Sequence, residues 1–116
     1  MKIVRIYTGD DGESHFEDLP LDLNDDGHGG VISAPVAAKA VMFRETRPDY
    51  NLDFHTAPRR QYVVNLKGSV EIETGLGEKR VLGPGDVLLA EDTTGRGHIS
   101  RSVNDEPREC LFIPLA

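Results

Sequence analysis

The stretch HTAPRRQYVVNLKG, residues 55–68, places a histidine and a proline step directly before a strand-like run that ends at a glycine. Residues 61–67 predict a strand, and Lys67-Gly68 is a hairpin signal that leads to another strand over 69–74. Because side chains alternate along a strand, His55 shares a face with Gln61 if the run stays regular past Pro58. Which other residues lie near His55 then depends on how the strands pair in the fold.

Short apolar segments separated by turns continue along the rest of the chain. Twelve glycines and seven prolines interrupt segments rich in Val, Ile and Leu, a composition typical of all-β domains. About ten strands are predicted, at 3–7, 15–19, 38–46, 51–56, 61–67, 69–74, 81–82, 87–91, 98–103 and 109–115. Their spacing leaves no room for crossover helices, so we expect one sandwich or barrel domain over residues 1–116.

Charge and composition exclude several classes of partner. The net charge of −7 argues against nucleic acid, and no apolar run is long enough to span a bilayer, so no membrane association is expected. The first residues turn polar too early for a secretory signal, and Cys110 has no second cysteine to pair with. We therefore expect a cytoplasmic protein.

The acidic segment DLNDDGHGG, residues 22–30, begins like a calcium-binding loop. The bidentate glutamate that such a loop needs is replaced by Ser33, and prolines on both sides leave no room for flanking helices. The segment is predicted to be a mobile acidic loop that does not bind calcium tightly.

A second stretch, PGDVLLAEDTTGRGHISR at 84–101, contains a sharp turn and another histidine, His98. Together with residues 55–68 it resembles the two motifs of the cupin superfamily. The first cupin motif has His-x-His, then a glutamate and a glycine, and His55 and Gly68 stand at the first histidine and at that glycine. The second motif joins a Pro-x-Gly turn to a histidine, here at 84–86 and His98. The resemblance covers about residues 38–115, and residues 1–37 before it comprise N-terminal strands and the acidic loop. Within the superfamily, the chain most resembles small single-domain bacterial cupins of the conserved-barrel type.

This resemblance implies a cupin jelly-roll barrel with metal ligands pointing into its mouth. Where the family has its second histidine and its glutamate, this chain has Ala57 and Gln61. The implied ligands of a divalent metal (Zn, Fe, Mn or Ni) are therefore His55, Gln61 and His98, which hold it weakly because an amide oxygen brings no negative charge. Alternatively, Gln61 is a structural residue that forms a hydrogen bond with Arg59 or a tyrosine.

Two further residues are candidates beside the metal ligands. His15 adds a third imidazole if its strand, 15–19, enters the barrel mouth. Asp92 lies in the turn before His98, where it is either a turn residue or an acceptor that orients the imidazole.

A third candidate is Arg59, which alternation places on the same face as Gln61. Its planar guanidinium is then suited to bind a substrate carboxylate. The alternative is that Arg59 and Arg60 form a solvated charged pair.

Two functions are possible for a protein that holds a small-molecule ligand or substrate in such a barrel. The first is a metal-dependent enzyme, an isomerase, lyase or dioxygenase acting on a small organic acid or sugar-like molecule, in which the metal is a Lewis acid. The second is a metal-free or weakly metal-binding module that stores or senses a small ligand. The two histidines favour the first, the replacements at 57 and 61 favour the second, and the fold alone does not decide.

The strand at 61–67 also predicts a homodimer. Tyr62, Val64 and Leu66 fall on the face opposite to Gln61 and Val63, so both faces of the strand carry large apolar groups. Since an outer face that is apolar must be covered, we expect a second subunit to pack against it.

Overall fold

The computed structural model describes residues 1–116 and contains strands, turns and loops but no helix. The strands are β1 (Lys2–Thr8), β2 (Ser14–Pro20), β3 (Asn24–Asp25), β4 (Val31–Ile32), β5 (Met42–Thr46), β6 (Asn51–His55), β7 (Gln61–Lys67), β8 (Val70–Thr74), β9 (Lys79–Leu82), β10 (Val87–Glu91), β11 (His98–Ser102) and β12 (Arg108–Pro114). The prediction of an all-β fold is confirmed. No part of the chain forms a helix long and apolar enough to cross a membrane.

Ten of these strands form the two main sheets. A six-stranded sheet has the order β2-β1-β10-β7-β12-β5, and a four-stranded sheet has the order β6-β11-β8-β9. Their neighbouring strands are antiparallel except for β1 and β10, which pair in parallel. From β5 onward every connection passes from one sheet to the other, apart from the β8–β9 hairpin. This winding of two sheets around each other is the jelly-roll pattern.

The hydrophobic core lies between the two sheets. The six-stranded sheet contributes Ile6, Leu88 and Ala90, and the four-stranded sheet contributes Val70, Ile72 and Leu82. Strand alternation explains which residues belong to the core, because on β8 every second residue is buried while the residues between are partly exposed. Burying such branched side chains from both layers is what stabilises the two sheets against each other.

The predicted hairpin at Lys67-Gly68 is wrong, although the turn itself is present. Gly68 has a φ of 75°, and a Cβ at this position would collide with the carbonyl oxygen of Pro107. However, β7 and β8 belong to different sheets, so the turn carries the chain across the core. A tight turn specifies a change of direction, whereas the partner of each strand is decided by the packing of the sheets.

The acidic segment at 22–30 is part of a small hairpin in which β3 pairs with β4. Oδ1 of Asp26 accepts hydrogen bonds from the backbone N–H groups of His28 and Gly30 at 2.7 and 3.0 Å. The Asp25 carboxylate likewise accepts one from the Gly27 N–H at 3.1 Å. These carboxylates therefore cap the backbone of their own turn.

A row of apolar residues crosses the outer face of the six-stranded sheet. Strand register aligns Phe43, Leu111, Val64 and Val87 on four strands, β5, β12, β7 and β10. Leu111 alternates with the buried Cys110, so this row faces away from the core, and Phe43 is 83% exposed. We refer to these four residues as the outer row.

Candidate functional site

His55 and His98 lie side by side at one end of the four-stranded sheet. They are the last residue of β6 and the first of β11, and the pairing of these strands sets them opposite each other. Their ring centroids are 4.5 Å apart, with the planes inclined by 59°. Gly97 permits this approach, since its φ is 77° and a Cβ there would collide with the backbone of His55. The structure thus brings together the two histidines of the cupin-like motifs.

A buried carboxylate fixes the orientation of His98. Asp92 is 0% exposed, and its Oδ2 accepts a hydrogen bond from Nδ1 of His98 at 2.6 Å. Ser14, on β2, donates to the same oxygen at 2.6 Å. The tautomer of His98 with its hydrogen on Nδ1 satisfies this bond to a carboxylate oxygen and leaves Nε2 free for a ligand. Asp92 thus occupies the place of an orienting acceptor, and no local sequence pattern pointed to Ser14 as its second partner.

A backbone oxygen performs the same task for His55. Nδ1 of His55 donates to the carbonyl oxygen of Asp53 at 2.7 Å. Burial lowers the pKa of His55 below its ordinary value; the bond to Asp53 opposes this shift and the charge of His98 adds to it. His55 is therefore biased towards the neutral imidazole, with the hydrogen on Nδ1 and a lone pair on Nε2.

Two other positions of the first motif lie near the pair but offer weak ligands. Ala57 and Gln61 line the same cavity as the histidines and are 5% and 3% exposed. Oε1 of Gln61 accepts a hydrogen bond from Nη1 of Arg59 at 3.0 Å, as in the structural interpretation of this glutamine. A cation bound to that oxygen would also lie close to the guanidinium charge.

The donor set around the pair does not fit the four-ligand metal centre implied by the cupin resemblance. It consists of two imidazoles and one amide oxygen that is already engaged by an arginine, with no carboxylate among the ligands themselves. No cluster of three or more His, Cys, Asp or Glu side chains is arranged to hold a metal ion.

The structure separates His15 from the histidine pair. On β2, Phe16 packs against the core and Ser14 reaches Asp92, so the alternating His15 points to the outer side of the sheet. There its Nε2 lies 3.0 Å from the carboxylate of Asp11 and its side chain is 32% exposed. His15 therefore does not supply a third imidazole, because its phase on the strand is opposite to the one required.

Between the sheets the histidine pair opens onto a cavity of about 350 Å³. Arg59, the predicted substrate-binding residue, does not line this cavity, and its Nη1 donates to Oε1 of Gln61. The residues of the cavity wall that sequence reasoning missed include Arg44, Tyr50 and Arg108. Arg108 could have been found from its alternation with Cys110 and Phe112, which places a charged residue on the apolar face of β12.

Comparison with solved structures identifies the fold. The protein NMB1881 from Neisseria meningitidis superimposes with a TM-score of 0.51 and 15% identity over 82% of this chain and 81% of its own. A candidate ethanolamine utilization protein Q from Salmonella typhimurium aligns with a TM-score of 0.45 and 13% identity over 99% and 95% of the two chains. No family model matches the sequence, and comparison with curated proteins gave no significant match. The chain therefore has a cupin-type jelly-roll fold, and at these identities the likeness concerns the fold alone.

Proposed function

We propose that the protein binds a small organic molecule in the cavity between its sheets, with His55 and His98 in contact with the ligand. The observation that carries this proposal is the opposed pair of imidazoles, 4.5 Å apart, whose Nδ1 atoms are both bonded to protein oxygens. Both Nε2 atoms are left to meet a ligand. A mostly apolar cavity with a few convergent polar groups is the usual form of a small-molecule site.

The arrangement supports ligand binding by hydrogen bonds in preference to a four-ligand metal centre. A neutral Nε2 accepts a hydrogen bond from a hydroxyl or acid group of the ligand, and the Asp92 carboxylate stabilises His98 if it takes up that proton. The protein is then a small single-domain cupin that stores or senses an organic acid or sugar-like molecule. A reducing, cytoplasmic location suits its buried free thiol, Cys110.

NMR titration tests this proposal through the imidazole nitrogens themselves. Long-range ¹⁵N–¹H spectra report the tautomer of each ring, and small neutral and acidic probes (benzamide, benzoate, glycerol) should shift the Nε2 signals of His55 and His98. His15, half-buried on the outer side of the sheet and outside the cavity, is the matched internal control. Shifts confined to His15, or tautomers with the hydrogen on Nε2 in both His55 and His98, would contradict the proposal.

A second candidate is a metal-dependent enzyme of the isomerase, lyase or dioxygenase type acting on a small organic acid or sugar-like molecule. It is favoured by one observation, that both rings leave Nε2 unbonded, which is the state of an imidazole that ligates a metal. When bound, a divalent ion would supply Lewis acidity next to the pair.

Calorimetric titration with zinc, manganese and anaerobic iron(II) separates the two candidates. Gln61→Glu restores an anionic ligand and should bind a divalent metal more tightly than the parent, while His98→Ala should bind least. If His98→Ala binds metal as well as the parent, the pair is not a metal site and the second candidate fails.

We also propose that the protein is a homodimer joined through the outer row. This row carries an exposed aromatic residue, Phe43, and continues across four strands without an interrupting charge. A second copy of the same face would bury it symmetrically.

A further inference from the structure

Two arginines line the cavity wall on neighbouring strands of the six-stranded sheet. β5 and β12 pair so that Arg44 lies opposite Cys110, one step along the same inner face from Arg108. Arg108 is only 5% exposed, and Arg44 is half-buried. Both contribute to the cavity onto which the histidine pair opens.

Neither guanidinium has a carboxylate partner. The protein holds 20 acidic against 13 basic residues, so carboxylates are not in short supply. Asp86, which also lines the cavity, instead accepts a hydrogen bond from the backbone N–H of Gly83 at 2.8 Å. The arginines that do form ion pairs with carboxylates are Arg5, Arg60, Arg80, Arg96 and Arg101.

Arg108 is the more unusual of the two because it is buried without a carboxylate partner. Its Nε is shielded from solvent and has no hydrogen-bond partner. Burial lowers the pKa of Arg108; the neighbouring Cys110 opposes this shift and the charge of Arg44 adds to it. Two like charges placed together in a poorly solvated site destabilise the fold unless an anion joins them.

Aromatic rings hold the two guanidinium groups in place. The Cζ atoms of Arg44 and Arg108 lie 5.2 and 5.7 Å from the centre of the Tyr50 ring, and Arg44 also lies 5.0 Å from that of Phe112. Packing of this kind fixes a guanidinium through its face and does not use the N–H groups along its edge. Those edges carry the planar donor pattern that matches an oxyanion.

We propose that Arg44 and Arg108 form the anion-binding end of the cavity and select a ligand that carries a carboxylate group, an inference that rests on the proposed ligand-binding function. The anion supplies the charge that these arginines lack, by charge-assisted hydrogen bonds to the N–H edges. A carboxylate is favoured over a phosphate because half of the cavity-lining residues are hydrophobic, which suits a molecule with an apolar body and a single charged end. The carboxylate end of a small organic acid would therefore lie at Tyr50.

Titration calorimetry with benzoate and benzamide tests this assignment, since the two probes share one shape and differ in charge. The parent should bind benzoate at least about tenfold more tightly than benzamide, and Arg44→Met and Arg108→Met should each remove most of this preference. Arg47→Met, at an exposed arginine outside the cavity wall, should leave it unchanged. Arg108→Lys keeps the charge without the planar fork and should lower the preference, so it serves as the test if Arg108→Met fails to fold.

The thermal stability of the ligand-free protein gives a second readout, because a purely structural role for Arg108 predicts the opposite change in the thermal midpoint. Removing an unpaired buried charge should raise the thermal midpoint of Arg108→Met above that of the parent while its response to benzoate is lost. A destabilised Arg108→Met that keeps its preference for benzoate would overturn the proposal.

The remaining outcomes separate this inference from the function on which it rests. Equal binding of benzoate and benzamide in the cavity would overturn the anion site and leave the ligand-binding function standing. Inorganic phosphate that binds as tightly as benzoate would overturn the carboxylate class. If benzoate, butyrate, phosphate, benzamide and glycerol all fail to bind, both proposals are wrong.

Discussion

Replacing Asp92 by alanine should destabilise the protein strongly, because this carboxylate is the shared acceptor of two buried donors. Asp92 is 0% exposed and accepts from Ser14 Oγ and His98 Nδ1, both at 2.6 Å. A hydrogen bond to a charged group contributes about 1.5–3 kcal/mol, and both donors would be left buried and unpaired. We therefore expect Asp92→Ala to lower the free energy of unfolding by about 3–5 kcal/mol. At a urea dependence of about 2 kcal/mol per M, the unfolding midpoint would fall by about 2 M.

Two variants serve as controls in the same urea experiment. Asp92→Asn keeps the shape and one acceptor oxygen but loses the charge, so it should lower the free energy of unfolding by about 1–2 kcal/mol. Asp10→Ala removes an exposed carboxylate with no side-chain hydrogen bond and should change stability by less than about 0.5 kcal/mol. If Asp92→Ala were as stable as Asp10→Ala, the Ser14–Asp92–His98 chain would not be an anchor of the fold, and the argument for a fixed His98 tautomer would fail with it.

Acid should destabilise the fold through His55, because the pKa of this residue is lower in the folded than in the unfolded chain. The unfolded chain therefore binds more protons, and the stability present above about pH 6.5 is lost as the pH falls below that value. Urea midpoints at about pH 7.5 and about pH 5.5 should accordingly differ less in His55→Gln than in the parent, and an equal difference would rule out His55 as a source of the effect. In light scattering at micromolar concentration the parent should be a dimer and Phe43→Lys a monomer, since lysine places a charge in the outer row; a monomeric parent would refute the interface. Millimolar calcium should leave the thermal midpoint unchanged within about 1 °C, because carboxylates of residues 22–30 bond to their own backbone, whereas a rise that Asp22→Ala abolishes would reveal a calcium site.

Local sequence patterns were sufficient to predict most of the strands and the histidine pair. The bounds of β7 and β10 agree with the predicted ranges, because both are apolar runs closed by glycine, proline or charged turns. His55 and His98 were found from the spacing of the two cupin-like motifs, and strand pairing then places them opposite each other. In both cases the information is contained within a few consecutive residues.

The remaining parts of the site depend on contacts between distant segments. Arg44 and Arg108 become neighbours only because β5 pairs with β12, and no local pattern specifies which strands pair. Ser14 reaches Asp92 for the same reason, across 78 positions of the chain. The wrong prediction for His15 shows a second limit of sequence patterns. A pattern predicts that a strand forms more readily than it predicts which face of that strand packs against the core.

The position of β12 between β7 and β5 has a consequence for biosynthesis. β12 pairs with β7 on one side and with β5 on the other, so the six-stranded sheet is divided until residues 108–114 have left the ribosome. A nascent chain that stops short of this strand exposes two unpaired sheet edges, together with the apolar side chains that β12 would cover. Folding of the jelly roll must therefore wait for a late, long-range strand insertion, which makes it slow compared with proteins built from local contacts.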